Sequence, residues 1–272
     1  MKNFFKLISY VLTLNLLVAC SNHPKTDNIQ NNNMNSALWY QNSIEFKAHS
    51  LQTFRLASQL LELSLKDKNW SASITPSQNF QKMAPAIIVD TDETILDNTA
   101  YDAQRILTHT VYDHDSWDKW LALSDAQALP GAIEFLNRAG QLGVKVFYVT
   151  NRRCKQRQKD GPACPQREEH IENLKKLGVS SLEADQMLLF DEHAKIVHSK
   201  EDRRQLISRD YRVLLIVGDD LGDFVKDRAD YKAEYQKYWG EKWIMLANPK
   251  YGSWLRALKP PYEQHLKPFK LE

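Results

Sequence analysis

Four groups of polar residues in this sequence are of types that do chemistry, and each follows a short apolar run. Asp90-Thr91-Asp92-Glu93-Thr94 follows Ala86-Ile87-Ile88-Val89, and Thr150-Asn151-Arg152 follows the run from Val144 to Val149. Lys200 comes after Met187-Leu188-Leu189-Phe190 and a connecting loop, and Gly218-Asp219-Asp220-Leu221-Gly222-Asp223 follows the run from Val213 to Val217. An aspartate can attack as a nucleophile and split one hard substitution into two easier steps. A second carboxylate two residues on can protonate the departing group and then take a proton from water. A threonine hydroxyl and a lysine ammonium can receive an anion. Each group alone would pass as turn residues, because Asp, Asn and Gly dominate turns. Four such groups at four strand ends are much harder to explain that way.

The elements that must hold these groups are legible in outline. Apolar runs alternate with helical patterns: Ala132 to Leu142, which follows Pro130-Gly131 and stops at Gly143, and Gln166 to Leu177, with Ile171, Leu174 and Leu177 on one face before Gly178. Strands that are apolar nearly throughout, alternating with helices, predict a parallel sheet covered on both faces. The expected fold is therefore α/β, a doubly wound parallel sheet, with its core from about residue 84 to 250 in a unit running over 84–272. In such a sheet ligands bind outside the carboxyl ends of the strands, so the four groups converge on one edge. Residues 99–129, with Tyr101, Trp117 and Trp120, carry no strand of that type and are expected to form a small inserted α-helical cap. An N-terminal helical segment is expected over 37–83: Leu51, Phe54, Leu56, Leu60, Leu61 and Leu65 recur mostly at three- and four-residue spacing, in one long helix or two shorter ones, before a loop from Trp70 to Met83.

The chain has 272 residues, 43 % of them hydrophobic and 26 % charged, with a formal net charge of +2. That is ordinary for a globular protein, and no basic run with interleaved aromatics supports a nucleic-acid polymer as partner. Lys2 and Lys6 precede a stretch from Leu7 to Val18 that is apolar apart from Ser9, Thr13 and Asn15. It is too short to span a bilayer as a helix and fits the core of a signal peptide over residues 1–19. It ends in Leu17-Val18-Ala19-Cys20, which resembles the lipobox of bacterial lipoproteins, in which the cysteine is lipidated. Residues 20–36, rich in asparagine, are expected to be a flexible tether. Cys154 and Cys164 remain; in an exported chain an even pair reads as a disulfide, with free buried thiols or metal ligands as the alternatives.

The ordered set resembles the haloacid dehalogenase superfamily: Asp90-x-Asp92-x-Thr94 as its first motif, Thr150 as its second, Lys200 as its third, Asp219 and Asp223 as its fourth. It is most similar to one branch, the class C acid phosphatases or lipoprotein e-type outer-membrane 5'-nucleotidases. The segments that carry this are Val89 to Asn98, Phe147 to Arg152 and Asn248-Pro249-Lys250-Tyr251-Gly252-Ser253-Trp254, within a resemblance covering roughly residues 37–260. The resemblance implies a magnesium-dependent acid phosphatase that hydrolyses phosphomonoesters, 5'-nucleotides among them, through an aspartyl-phosphate. It implies Asp90 as nucleophile and Asp92 as acid and base. It implies Mg2+ held by the Asp90 carboxylate, the Asp92 backbone carbonyl and the Asp219 carboxylate, with Asp223 holding metal-bound waters. Thr150, Asn151 and Lys200 would bind phosphate, while Trp117 and Tyr251, with Tyr101, would enclose the base. Cys20 followed by Ser21 would place the protein, anchored by lipid, at the bacterial outer membrane with its catalytic domain outside the cytoplasm. Asp220 departs from the family pattern, where asparagine is usual, and would add a carboxylate beside the metal. The stretch between Cys154 and Cys164 departs from a shorter family loop. The alternatives are a phosphatase for non-nucleotide monoesters such as sugar phosphates, and an outer-membrane ligand-binding lipoprotein for haem uptake. His49, His109 and His114 could be cited for the latter but follow no ligand spacing, and intact Asp90, Asp92 and Asp219 argue against it. A homodimer is left open.

Overall fold

Ala84–Val89 forms β1, the middle strand of the main sheet, and its neighbours on either side and on both faces explain its composition. Ile87, Ile88 and Val89 are buried, as a strand covered by layers above and below requires. The molecule is described by a computed structural model over residues 29–192, 199–226 and 228–268. Among these residues the sheet has five strands. β4 (Lys145–Arg153) and β6 (Tyr211–Gly218) flank β1, and β5 (Met187–Phe190) and β7 (Trp243–Met245) lie outside them, all paired in parallel. One face packs Ile87, Val89, Val146 and Tyr148 against α2 (Ile44–Lys66), α5 (Ala132–Gln141) and α6 (Pro165–Lys176). The other face packs Ala86, Ile88, Phe147 and Ile216 against Ile207 of α7 (Lys200–Asp210) and the aromatics Phe224, Tyr235 and Trp243. This is the α/β doubly wound architecture that the apolar runs predict.

Between β1 and α5 the chain leaves the sheet through a neck. β2 (Leu96–Asp97) pairs antiparallel with β3 (Gln127–Ala128), and two helices stand between them: α3 (Thr99–Leu107) and α4 (His114–Leu121). Asp113 caps α4, accepting from the amides of Asp115 at 3.0 Å and Ser116 at 2.9 Å. The short α8 (Ser253–Arg256) packs against the turn Leu221–Asp223 that follows β6.

Three sequence readings need correction, and one left open is decided. The asparagine-rich stretch does not stay a tether to residue 36: α1 (Ile29–Asn42) begins at Ile29, because its face buries Ala37 and Tyr40 against the core. Of the two alternatives for the periodic stretch up to residue 66, the structure has two helices, α1 and α2, separated at Ser43, whose hydroxyl accepts from the Phe46 amide at 3.0 Å and starts a new helix. β4 runs on through Arg153, so Thr150, Asn151 and Arg152 lie on the strand and not after it. β7 and α7 were not expected, since β7 has three residues and α7, Lys200-Glu201-Asp202-Arg203-Arg204-Gln205-Leu206-Ile207, is charged nearly all along. The signal peptide, Cys20 and the first part of the tether lie outside the described residues. Among those described, no helix is long and apolar enough to cross a membrane.

Candidate active site

The carboxyl ends of β1, β4 and β6, with the N-terminus of α7, bring most of the expected residues to the lining of one cavity of about 490 Å³, with Thr150 and Asp223 behind it. Asp90, Asp92, Asn151, Arg152, Lys200 and Asp219 line it, with Tyr101, Tyr112 and Trp117 from the cap and Tyr251 from beyond β7. Lys200 arrives there because Ser199 caps α7 in a reciprocal box with Asp202: the hydroxyl accepts from the Asp202 amide at 3.1 Å, and the Asp202 carboxylate accepts from the Ser199 amide at 3.0 Å. From the first residue of that helix, the Lys200 ammonium contacts Asp90 Oδ1 and donates to Asp223 Oδ1 at 2.6 Å.

Asp90, Asp219 and Asp223 each offer an oxygen within 4.8 Å of the others. Asp219 is placed by Thr94, whose hydroxyl donates to Oδ1 at 2.8 Å, and by Asn248, whose amide donates to Oδ2 at 2.8 Å. Asp223 folds back and accepts from the Asp219 amide at 3.1 Å and the Asp220 amide at 2.9 Å. The fold needs a glycine at 218 for this, since a Cβ there would stand 2.5 Å from that of Asp223. One ammonium, paired with the buried Asp90 and Asp223, serves a cluster of three carboxylates that the half-buried Asp219 completes. Burial, with the charges of Asp223 and Asp92, pushes the Asp90 carboxyl up to about 7 against the pull of Lys200. Burial and the neighbouring carboxylates hold Asp219 well above its usual range. An all-oxygen set carrying excess negative charge fits a hard divalent cation. His109 and His114 are exposed on the cap and His49 is half-buried on α2, outside this cluster.

Asp92 is held apart from the cluster. Arg152 donates Nε to both carboxylate oxygens at 3.1 Å and Nη2 to Oδ1 at 2.7 Å, and Asn98 donates to Oδ1 at 3.0 Å. Burial pushes its carboxyl up, but the Arg152 guanidinium, together with His170 and the Asn98 amide, outweighs burial and leaves it below the ordinary carboxylate range. Trp120 of the cap donates to Asn98 Oδ1 at 2.8 Å, so the cap helps to orient Asp92. Thr150 is fully buried and its side chain does not line the cavity; its hydroxyl lies 3.5 Å from Asp92 Oδ2 and accepts from the Arg152 amide at 3.1 Å. Arg203, also buried, donates to the carbonyls of Thr150 at 2.5 Å and Leu188 at 2.8 Å, and pins the ends of β4 and β5 together.

The expected aromatic wall is present, with a member the sequence did not suggest. Tyr101 and Trp117 meet edge-to-face at 5.1 Å, and Tyr112 lies 6.4 Å from Trp117. Tyr101 is itself held by a 2.9 Å hydrogen bond with Ser116. Tyr251 donates its hydroxyl to Glu93, which fixes its ring at the cavity edge. Glu93 sits at φ 61° in the left-handed region, a strained position for a residue with a side chain. It is over-determined there: Lys250 donates to it at 2.9 Å and the Asn98 amide at 3.0 Å. The same Lys250 ammonium lies 2.9 Å from Asp102 of α3 and 4.6 Å from the ring centre of Tyr40 of α1. Arg152, Tyr112 and the Glu93–Lys250–Asp102 cluster were missed as site residues; Arg152, Glu93 and Lys250 had a local signal, each lying inside a segment that the sequence singles out, while Tyr112 and Asp102 had none.

Asp220 lines the same cavity beside Asp219 and also holds the surrounding backbone in place. Its Oδ1 accepts from the Gly222 amide at 2.8 Å and its Oδ2 from the Ser253 amide at the start of α8. Gly252, at φ 137°, is required by this contact, because a Cβ would stand 2.7 Å from Asp220 Oδ2. Cys154 and Cys164 are joined in a disulfide.

A family model described as HAD superfamily, subfamily IIIB (acid phosphatase), matches residues 7–254. Among curated proteins, acid phosphatase 1 of Solanum lycopersicum is 26 % identical over 148 residues, covering 54 % of this chain and 54 % of its own length. The stem 31 kDa glycoprotein of Glycine max is 26 % identical over 164 residues, covering 59 % of this chain and 56 % of its own. The chain thus spans about half the length of these relatives. The class C acid phosphatase of Bacillus anthracis, solved with tungstate bound, superposes with a TM-score of 0.71 at 31 % identity over 90 % of this chain and all 100 % of its own. A second structure of that protein gives a TM-score of 0.72 at 30 % identity, covering 89 % of this chain and 99 % of its own.

Proposed function

This chain belongs to subfamily IIIB of the HAD superfamily, the acid phosphatases, and from that premise we propose that it hydrolyses phosphomonoesters, nucleoside 5'-monophosphates among them, with Asp90 as nucleophile. The observation that carries the reading is the placement of Asp90 at the end of β1, in contact with Lys200 and clustered with Asp219 and Asp223, at the floor of an aromatic-walled cavity. Tungstate, bound in the Bacillus anthracis relative, is a tetrahedral oxyanion of the shape of phosphate.

Lys200 and Arg152 first offset the charge of the phosphate dianion, which otherwise repels a carboxylate. An oxygen of Asp90 attacks phosphorus, the ester P–O bond breaks, and the leaving alkoxide takes a proton from Asp92. Asp92 then accepts a proton from the water that attacks the aspartyl-phosphate, which releases inorganic phosphate and restores Asp90. A dianion beside Arg152 competes with Asp92 for the guanidinium and adds negative charge nearby. Both effects raise the affinity of Asp92 for the proton it must deliver. Asp90, Asp219 and Asp223, with the Asp92 carbonyl, would hold a magnesium ion, which supplies positive charge to the phosphoryl oxygens. The aromatic wall favours nucleotides over sugar phosphates, since a base offers a π face where a sugar does not. A panel of nucleoside, sugar and alkyl phosphates assayed with and without magnesium tests this. Turnover of all classes at one rate would overturn the nucleotide preference, and full activity in metal-free protein would overturn the magnesium role.

A further inference from the structure

Immediately beyond Arg152 and Arg153 the chain enters a loop closed by the Cys154–Cys164 disulfide, with Cα atoms 4.7 Å apart. Its side chains reach across to the cap. Arg157 donates Nε to Asp118 Oδ2 at 2.5 Å, and Nη2 to Asp118 Oδ1 at 2.9 Å and to the Asp118 carbonyl at 3.1 Å. The other side of the same guanidinium contacts Glu169 of α6 through both carboxylate oxygens, Nη2 to Oε2 at 2.9 Å. Gln166, buried on α6, accepts from the Lys155 amide at 3.0 Å and donates to the Lys155 carbonyl and to Asp118 Oδ1, both at 2.9 Å. The hydrogen bonds from Arg157 and then Gln166 hold the Asp118 carboxyl below its usual range.

The helix so gripped is otherwise ordered by its Asp113 cap, by Ser116 and Trp117 against Tyr101, and by Trp120 on Asn98; on its α6 side Asp118 supplies the polar tie. α4 has eight residues, and Leu121 is the one it buries. A helix this short is marginal without tertiary support. Trp117 precedes the gripped Asp118 and forms the cap wall with Tyr101. Farther on, Ser124 donates to the Glu169 carbonyl at 3.0 Å, and Asn173 exchanges hydrogen bonds with Ala126 at 2.8 and 3.1 Å. Those bonds keep the cap attached to α6 whether or not Arg157 is there, so the loop acts on α4 itself. A planar arginine fork loses less freedom per hydrogen bond than a lysine would, and the disulfide restricts the loop that carries it.

We infer that the Cys154–Cys164 loop is a strut in which Arg157 is a positioning residue, fixing α4 against α6 and so setting Trp117 as the wall that selects the leaving group. The substrate part rests on the aromatic reading above; the effect on α4 does not. Arg157→Ala tests both, with Trp117→Ala measured in parallel and each variant assayed on a nucleoside 5'-monophosphate and on ethyl phosphate. Amide hydrogen exchange over residues 114–121 should quicken about tenfold in Arg157→Ala, with β1 unchanged. kcat/KM for the nucleotide should fall about five- to tenfold, through KM, with less than about a twofold change for ethyl phosphate. The double variant Arg157→Ala/Asp118→Ala should lose less than the sum of the two single losses, because the Arg157–Asp118 interaction is counted in both while the Glu169 and Gln166 bonds are each counted once. Unchanged exchange in α4 would overturn the strut, whatever Trp117→Ala does. Equal losses on both esters in Trp117→Ala would overturn the aromatic reading instead, and faster exchange in Arg157→Ala would still establish the strut.

Discussion

Lys250→Met tests the cluster that joins the cap, the turn after β1 that carries Glu93, and α1. Lys250 and Glu93 have side chains only 1 % exposed, and Asp102 is 10 % exposed. Methionine keeps most of the stem and removes the charge, leaving two carboxylates facing each other. Breaking a buried pair in this way costs about 3–5 kcal/mol. For a domain of this size that is a fall in Tm of roughly 10 °C. The loss has a sign in pH. Burial pushes the Glu93 carboxyl up to about 7 even with Lys250 pulling it down. Without Lys250 its folded value rises further, while the unfolded value stays at about 4.3. The folded variant then holds a proton that the unfolded chain releases, so its stability falls as pH rises through that window. Urea unfolding followed by circular dichroism, at about pH 5 and about pH 8, should show the larger defect at the higher pH. Glu93→Gln in the Lys250→Met background should recover part of the loss near pH 8. A loss below about 1 kcal/mol, or a defect that shrinks with rising pH, would refute the argument.

Arg152→Ala should lower kcat/KM about a hundredfold, with KM raised as well as kcat lowered, because it removes a phosphate partner and the group that orients Asp92; steady-state kinetics showing less than a threefold change would remove it from the site. Asp219→Asn should weaken Mg2+ binding at least about tenfold by calorimetry, and unchanged affinity would take Asp219 out of the ligand set. Trp117→Ala and Tyr251→Ala should each cost the nucleotide about 1–3 kcal/mol in transition-state binding and ethyl phosphate much less; equal losses would show that these rings support the fold and do not contact the base.

The residues at the strand ends were legible because their signal is local. Asp90 and Asp92 adjoin a buried run, and Asp219 and Asp223 follow another, so spacing and topology sufficed to bring them together. Lys200 was placed by resemblance and loop order; the helix that delivers it was hidden because its sequence is charged on most sides. The Glu93–Lys250–Asp102 cluster was not legible, since its members are as much as 157 positions apart and only packing joins them. Nor was it legible that the Asp220 carboxylate accepts from the amides of Gly222 and Ser253, since only the fold brings α8 beside it. The short β7 gave no period to read, and the start of α1 was masked by asparagines that helices tolerate but do not favour.

The central claim is that Asp90 becomes phosphorylated during turnover. The direct measurement is acid quench of the protein mixed with a radiolabelled nucleoside monophosphate, followed by peptide mapping. Wild type and Asp92→Asn should carry label on the peptide containing Asp90, labile to hydroxylamine as an acyl phosphate is, with more accumulating in Asp92→Asn because its water step is slowed. Asp90→Asn should fold, carry no label and release no phosphate. Label on any other residue, or turnover by Asp90→Asn near the wild-type rate, would contradict the account.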